Sequence, residues 1–340
     1  MKKLICLILT VLMLLPALYS CGNKNNTDEP SPDSVLLTSA VDHDYVRTLI
    51  ETGKIDVAIL PEPKATAAIN SAKKNGFEYS IKLNLSTEWD KVSDSPLSMG
   101  CIAVNNSFLS ENESEVLAFL AEYKSSIEYI GAPTNFDSSS QMIVSSGVIP
   151  ALPVAKSALN NLYGSIVYQD GEEMKNTLLG FYDAIGNAKP DNDSFYYIPS
   201  KDIIPTSDKK IKIAVMNGPT GMGMSKLMND YGLNSDRYEF ILYSDPSLAI
   251  VDLGKGEVNM ACLPTNSVAT FASKGANISA LAINCLGSLY VVAKNEIEIN
   301  SPADLIGKNV YYGVPTSTTA PIFKYIMTKN SIIVKDADEE

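Results

Sequence analysis

The strongest constraint in this sequence is a pattern that it uses twice. Val258–Thr270 (VNMACLPTNSVAT) and Ile55–Ala67 (IDVAILPEPKATA) each read as an apolar strand that runs into a Leu-Pro corner and then a helix start. Val258 aligns with Ile55, Asn259 with Asp56, Ala261 with Ala58, and Leu263-Pro264 with Leu60-Pro61. Each copy follows an amphipathic helical stretch that closes on Gly-Lys, SLAIVDLGKG in one case and YVRTLIETGK in the other. Runs this apolar, without polar alternation, suit strands of a parallel sheet covered on both faces. A strand, a corner and a helix used twice predict two α/β lobes that face each other across a cleft, with the two corners on its walls.

The chain has 340 residues, room for two domains of ordinary size, and its 45% hydrophobic and 19% charged content is that of a globular protein. A net charge of -12, with Arg47 and Arg237 the only arginines, argues against a nucleic-acid partner, because phosphate backbones need stripes of Lys and Arg. Lys2-Lys3 followed by the apolar run Leu4–Leu18 has the layout of a signal segment and is short for a membrane span. It ends in Leu18-Tyr19-Ser20-Cys21-Gly22, which resembles the lipobox of bacterial lipoproteins. Residues 1–20 are therefore expected to be a cleaved signal, with Cys21 carrying lipid and 21–34 acting as a flexible polar tether. Losing Lys2 and Lys3 takes the mature charge to -14. Cys101, Cys262 and Cys285 then remain; Cys262 and Cys285 sit in apolar runs and read as small buried hydrophobes, at no metal-site spacing.

Periodicity predicts strands near 35–38, 55–60, 79–85, 98–104, 211–216, 239–243, 258–263 and 309–312. Helices are expected near 42–52, 65–74, 113–130 (capped by Ser110), 138–145, 153–160, 170–184, 223–231, 246–253, 267–274 and 321–329. Trp89 falls in a polar stretch read as a loop, and His43 on a helix read as solvated. Ser279–Ala293 is apolar throughout and long enough to cross between lobes.

Three turns are candidates for facing the cleft. Gly218-Pro219-Thr220-Gly221-Met222-Gly223 nearly fits a phosphate-binding loop, but Met224 stands where the lysine belongs, which argues against a nucleotide. It remains either a set of backbone N–H groups for an anion or a turn with only a structural job. Thr265-Asn266 would cap a helix or touch a ligand. Thr316-Ser317-Thr318-Thr319 offers more hydroxyls than one cap needs. Glu62 holds the turn equivalent to Thr265, as an exposed carboxylate or as one facing an amine. Trp89 would stack on a flat ligand or fill core. For catalysis the chain offers a lone His43, cysteines in apolar runs and no metal spacing; no cofactor and no metal is expected.

The segments IKIAVMNGPTGMGMSKLM, GEVNMACLPTN, ALAINCLGSLYVVAKN and SPADLIGKNVYY resemble the first half of the substrate-binding lipoproteins of ABC importers, of the nitrate/sulfonate/taurine and thiamine-precursor-like group. GKIDVAILPEP, LSTEWDKV, SPLSMGCIAV and DGEEMKNTLLGFYDAI resemble that family's second half. The resemblance covers about 35–335 and implies the α/β, two-lobed type II periplasmic-binding-protein fold, each lobe a mostly parallel sheet flanked by helices. The halves stand in reverse order, as in a circular permutation, so one lobe is expected to be continuous (97–293) and the other to combine 35–96 with 294–340. It further implies ligand or hinge contacts at Asn284, Gly287 and Met99 on the crossing segments. The expected ligand site is thus Gly218, Thr220, Gly221, Thr265, Asn266, Asn284, Thr316, Ser317, Thr318, Glu62, Trp89 and Met99. The implied role is that of an extracytoplasmic, lipid-anchored monomer. It would capture a small organic anion or zwitterion, sulfonate- or taurine-like, or a pyrimidine or aromatic compound, for ABC permease subunits. Relatives on the same fold include enzymes of thiamine-precursor and menaquinone synthesis; those and a ligand-sensing lipoprotein are the alternatives.

Overall fold

The computed structural model describes residues 32–186, 189–190, 192–199, 203–206, 208–313 and 317–337. The chain opens with β1 (Ser34–Ala40), α1 (His43–Glu51), β2 (Val57–Pro61), α2 (Lys64–Lys74), β3 (Tyr79–Asn84) and α3 (Leu85–Asp90). It continues through β4 (Ser98–Asn105), α4 (Asn106–Glu111), α5 (Glu113–Gly131), α6 (Phe136–Ser145), α7 (Leu152–Asn161), β5 (Ile166–Asp170) and α8 (Gly171–Ile185). Next come β6 (Ile211–Met216), α9 (Pro219–Met222), α10 (Ser225–Tyr231), β7 (Tyr238–Tyr243), α11 (Pro246–Lys255), β8 (Met260–Pro264) and α12 (Thr265–Ser273). The last elements are β9 (Ile278–Leu286), β10 (Leu289–Lys294), β11 (Asn309–Gly313), α13 (Thr319–Lys329) and β12 (Ile333–Asp336).

The strands form two six-stranded sheets, ordered β12-β1-β11-β2-β10-β3 and β5-β9-β4-β8-β6-β7. Read from β1, the first sheet pairs parallel, parallel, antiparallel, antiparallel across β1-β11-β2-β10-β3. Read from β7, the second gives the same sequence of directions across β7-β6-β8-β4-β9. The repeated motif occupies matched places in this frame. β2 and β8 start and stop at aligned positions, and each lies between one parallel and one antiparallel neighbour. The sheets differ at their ends, where β12 adds to β1 and β5 adds to β9.

Both ends of the described chain lie in one sheet, with Val35 opposite Val334. The apolar run expected to cross between lobes does cross, and splits to do so: β9 pairs with β4 and β5, while β10 pairs with β2 and β3. The turn between them is Gly287 (φ +68°) and Ser288 (φ +101°). The left-handed backbone suits glycine, and a side-chain carbon on Gly287 would run into Ser86. β10 thus hydrogen-bonds with the sheet of the chain ends, although it falls within 97–293.

Each sheet is covered on both faces. One apolar cluster (Ile102, Val104, Phe119, Tyr123, Ile213, Val215, Cys262) lies wholly on the second sheet, and another (Val46, Ile50, Ala58, Leu60, Ala65, Val292) on the first. The third runs continuously from one sheet to the other, through Val57, Ile59 and Val291 to Cys101, Ala103 and Leu263. Some local readings change. Trp89 belongs to a helix, because Leu85 and Trp89 are one turn apart and both buried, and Asn84 accepts from Ser86 N (2.9 Å) to start it. Ser110 lies inside α4 and does not cap α5; Asn112 holds the position before α5, and Asn105 caps α4 by accepting from Ser107 N and Phe108 N. The expected 223–231 helix starts two residues later, at Ser225 (α10), and the glycine turn before it forms the short additional helix α9.

Candidate functional site

Parallel strands β1, β11 and β2 of the first sheet run into helices α1, α13 and α2, and β6, β7 and β8 of the second into α9, α11 and α12. Two of these strand-to-helix turns meet. A side-chain carbon placed on Gly218, in the β6–α9 turn, lies 3.7 Å from Pro63 Cδ in the β2–α2 turn. The Leu-Pro corners are tied to opposite sides of one crossing turn. Pro61 is registered with Leu289 and Pro264 with Gly100, while Ser98 is registered with Leu286. Glu62 N also donates to Ser288 O (2.9 Å).

Glu62 is 1% exposed, so the exposed-turn alternative for it does not hold. Its Oε1 accepts from Thr66 Oγ1 (2.8 Å) and from Asn161 Nδ2 (2.6 Å), and Oε2 accepts from Thr66 N (3.3 Å). Burial pushes its carboxyl above the usual carboxylate range, and the bonds from Asn161 and Thr66 pull against that. Asn161 is at the end of α7 and its backbone oxygen accepts from Tyr290 OH (2.6 Å) on β10. Sequence reasoning missed Asn161, Thr66 and Tyr290. Only Thr66 carried any signal, as a hydroxyl in the first turn of a helix that follows a corner.

On the other sheet, Asn284 of β9 is 1% exposed and donates through Nδ2 to Tyr123 OH (3.0 Å) and Thr220 O (3.1 Å). Its Oδ1 is buried without a hydrogen-bond partner. Thr220 and Asn284 crowd Gly100: a side-chain carbon there would strike Thr220 Cγ2 and lie 2.6 Å from Asn284 Oδ1. Gly218 (φ +129°) and Gly221 are buried, and at Gly221 a side-chain carbon would collide with Met216 O. Thr265 is buried; its Oγ1 pairs with Ser98 Oγ (3.1 Å) and its carbonyl accepts from Tyr182 OH (3.3 Å). Asn266, beside it, is half-buried. Met99 packs against apolar clusters on both faces of its sheet.

Thr318 is nearly buried at the start of α13, where Ser317 Oγ accepts from Thr319 N (3.3 Å). Thr316 and Cys21 lie outside the described residues. Trp89 takes the core alternative. It is 0% exposed, donates Nε1–H to Ser95 O (2.6 Å), and packs on Tyr325 (4.7 Å between ring centres) and Phe181 (5.8 Å). A ring enclosed on those sides has no face left for a flat ligand.

His43, expected in solvent, is mostly enclosed at the start of α1. Its Nδ1 has no partner, and burial, then the Lys64 ammonium, hold the imidazole down at about 4. Lys64 pairs with Asp44 at 2.6 Å. Burial pushes the Cys101, Cys262 and Cys285 thiols up to about 12, which leaves them protonated and poor nucleophiles at neutral pH. Among the described residues no group of three or more His, Cys, Asp or Glu is placed to hold a metal, and no helix is long and apolar enough to cross a membrane.

No curated protein matches the chain. Among solved structures it is similar to an ancestral arginine-binding protein bound to arginine (9% identity, 88% of this chain and 94% of that one, TM-score 0.33). A binding-protein component of an ABC phosphonate transporter from Pseudomonas aeruginosa is similar at 8% identity, over 82% of this chain and 73% of that one, with a TM-score of 0.35. An amino-acid ABC transporter substrate-binding protein from Streptococcus pneumoniae, bound to L-arginine, is similar at 8% identity over 88% and 89%, with a TM-score of 0.32. Residues 229–338, from α10 through β12, match the family model described as NMT1/THI5 like.

Proposed function

We propose that this protein is a solute-binding lipoprotein that captures a small organic molecule outside the cytoplasm and hands it to an ABC importer. The carrying observation is the meeting of two strand-to-helix turns from two sheets of the same five-strand pattern, at Gly218 and Pro63. Sheets joined by a few crossing segments can hinge, and a ligand held between them shifts the open and closed populations by its differential affinity for the two. The NMT1/THI5-like match over 229–338 supports the reading. The names of the similar structures, which concern amino acids and phosphonates, agree with a solute-binding role without fixing a ligand class.

In this reading the sheets are two lobes and the order of their halves is permuted. Cys21 carries the lipid anchor, and the folded part is a monomer. Thr220, Thr265, Asn266, Asn284, Ser317 and Thr318 supply hydroxyl and amide groups to a small anion or zwitterion, a sulfonate- or taurine-like compound or a pyrimidine or aromatic one. Against the enzyme alternative stand the buried, protonated thiols and a single enclosed histidine.

The test is a thermal-shift screen of unlipidated residues 22–340 against taurine, alkanesulfonates, amines, aminopyrimidines and aromatic acids. A true ligand at about a hundred times its Kd stabilises by about 2.7 kcal/mol. One class is expected to raise the midpoint saturably, to change Trp89 emission, and to be recovered unchanged. Turnover of the compound, or no shift across the panel, overturns the proposal.

A further inference from the structure

We propose that Asn161 is a positioning residue that latches the two lobes by holding the Glu62 carboxylate from the opposite side of the seam. This rests on the two-lobe reading above and adds a residue that no motif marks. Glu62 follows β2 in the first sheet, whereas Asn161 ends α7, between strands β4 and β5 of the second. The bond from Asn161 Nδ2 to Glu62 Oε1 is 2.6 Å, and the same amide nitrogen lies 3.3 Å from Thr66 Oγ1. Tyr290 OH, on β10 of the first sheet, donates to the Asn161 carbonyl at 2.6 Å. Asn161 is therefore gripped at side chain and backbone by the lobe to which it does not belong.

The environment makes this contact strong. Glu62 is 1% exposed, so water does not compete for its oxygens, and a hydrogen bond to an ionised group gains from that. Its local partner, Thr66, supplies two donors, and the amide from across the seam supplies the third. Parting the lobes at this point strips the carboxylate of its shortest bond. The latch thereby sets how readily the lobes separate, and it gives Glu62 a protein partner where a ligand amine was expected.

The swap of donor and acceptor tests the latch without any ligand, so its failure is distinct from failure of the solute-binding reading. N161D places two carboxylates together; E62Q with N161D restores one donor and one acceptor in reversed order. The readouts are radius of gyration by small-angle scattering and amide exchange in 62–66, with circular dichroism to confirm the fold. N161D is expected to enlarge the particle and to speed exchange in 62–66 about ten- to a hundred-fold, the range for losing a hydrogen bond to a charged group. The double variant is expected to return to the parent values. N161A and Y290F, which introduce no charge, are expected to shift both readouts in the same direction, and N160A, at the exposed neighbour, to leave them unchanged. Parent-like scattering and exchange in N161D and N161A overturn the proposal, as does a double variant no better than N161D.

Discussion

At the scale of the residue, what decides each polar group is whether burial leaves it a partner. His43 is enclosed with an imidazole held down at about 4, below the ordinary 6.5, so folding favours its neutral form. A depressed value of this kind contributes stability above pH 6.5, and that contribution is lost as pH falls from 6.5 through about 4. The difference corresponds to about 3 kcal/mol, at 1.36 kcal/mol per unit. Because this is the only histidine, its ring protons give an isolated NMR titration, expected to centre near 4, and H43Q is expected to lose less stability than the parent between pH 6.5 and 4. Asn284 is the second case. N284A would remove the amide donor from the Thr220 carbonyl and leave the Tyr123 hydroxyl with only Cys262 Sγ (3.6 Å) in a dry site, and an unfolding measurement is expected to show a loss of about 1–3 kcal/mol.

At the scale of the element, helix boundaries follow caps more than periodicity. α11 begins at Pro246 because Asp245 accepts from Ser247 N (2.8 Å) and proline suits the first helical position; it ends at Gly256 in the left-handed conformation (φ +79°). D245A is expected to destabilise by about 1 kcal/mol in chemical denaturation, whereas G256A meets a strained backbone and is expected to cost at least as much. The same logic explains why the two copies of the motif diverge after matched strands. α12 starts at Thr265 directly after Pro264, while Glu62-Pro63 intervene before α2 starts at Lys64. Those two extra residues put a carboxylate against α7 in one copy where the other presents a hydroxyl.

At the scale of the whole molecule, the chain ends share one sheet through β1 and β12, and Ala337 N donates to Leu37 O (3.1 Å). β12 runs parallel to β1, with Asp336 beside Leu37, so residues 337 and 32 lie at opposite ends of the pair, and a permutant needs a Gly/Ser linker of about a dozen residues to run back along this edge. Ile204 is 81% exposed, whereas Thr206 and Asp208 are anchored on Glu115 (2.7 and 3.1 Å). A permutant opened before Ile204 therefore keeps those anchors and is expected to melt cooperatively within a few degrees of the parent by calorimetry. A broad, early transition would show that the covalent link at 204 is needed to hold the parts of the second sheet together, since Tyr196 before it bridges to Ala280 and β6 follows it. The continuous apolar cluster that spans both sheets argues for one cooperative transition.

The sequence by itself determined eight of the twelve strands among the described residues, most helices and the twofold use of one motif, because those depend on spacing between neighbours: apolar runs, a Leu-Pro corner, an Asp-Pro start. It also marked Glu62 and Thr220 as residues at corners, since a corner is a local event. Only the tertiary structure decided what those corners meet. Whether Trp89 faces a ligand or Phe181 and Tyr325, whether His43 is wet or enclosed, and whether Glu62 finds an amine or Asn161 depend on chain segments tens to hundreds of residues away. Asn161 carries no local mark at all; its role comes from the docking of α7 beside α2, and the hydrogen bond formed there is set by distance in space, which no spacing along the chain encodes.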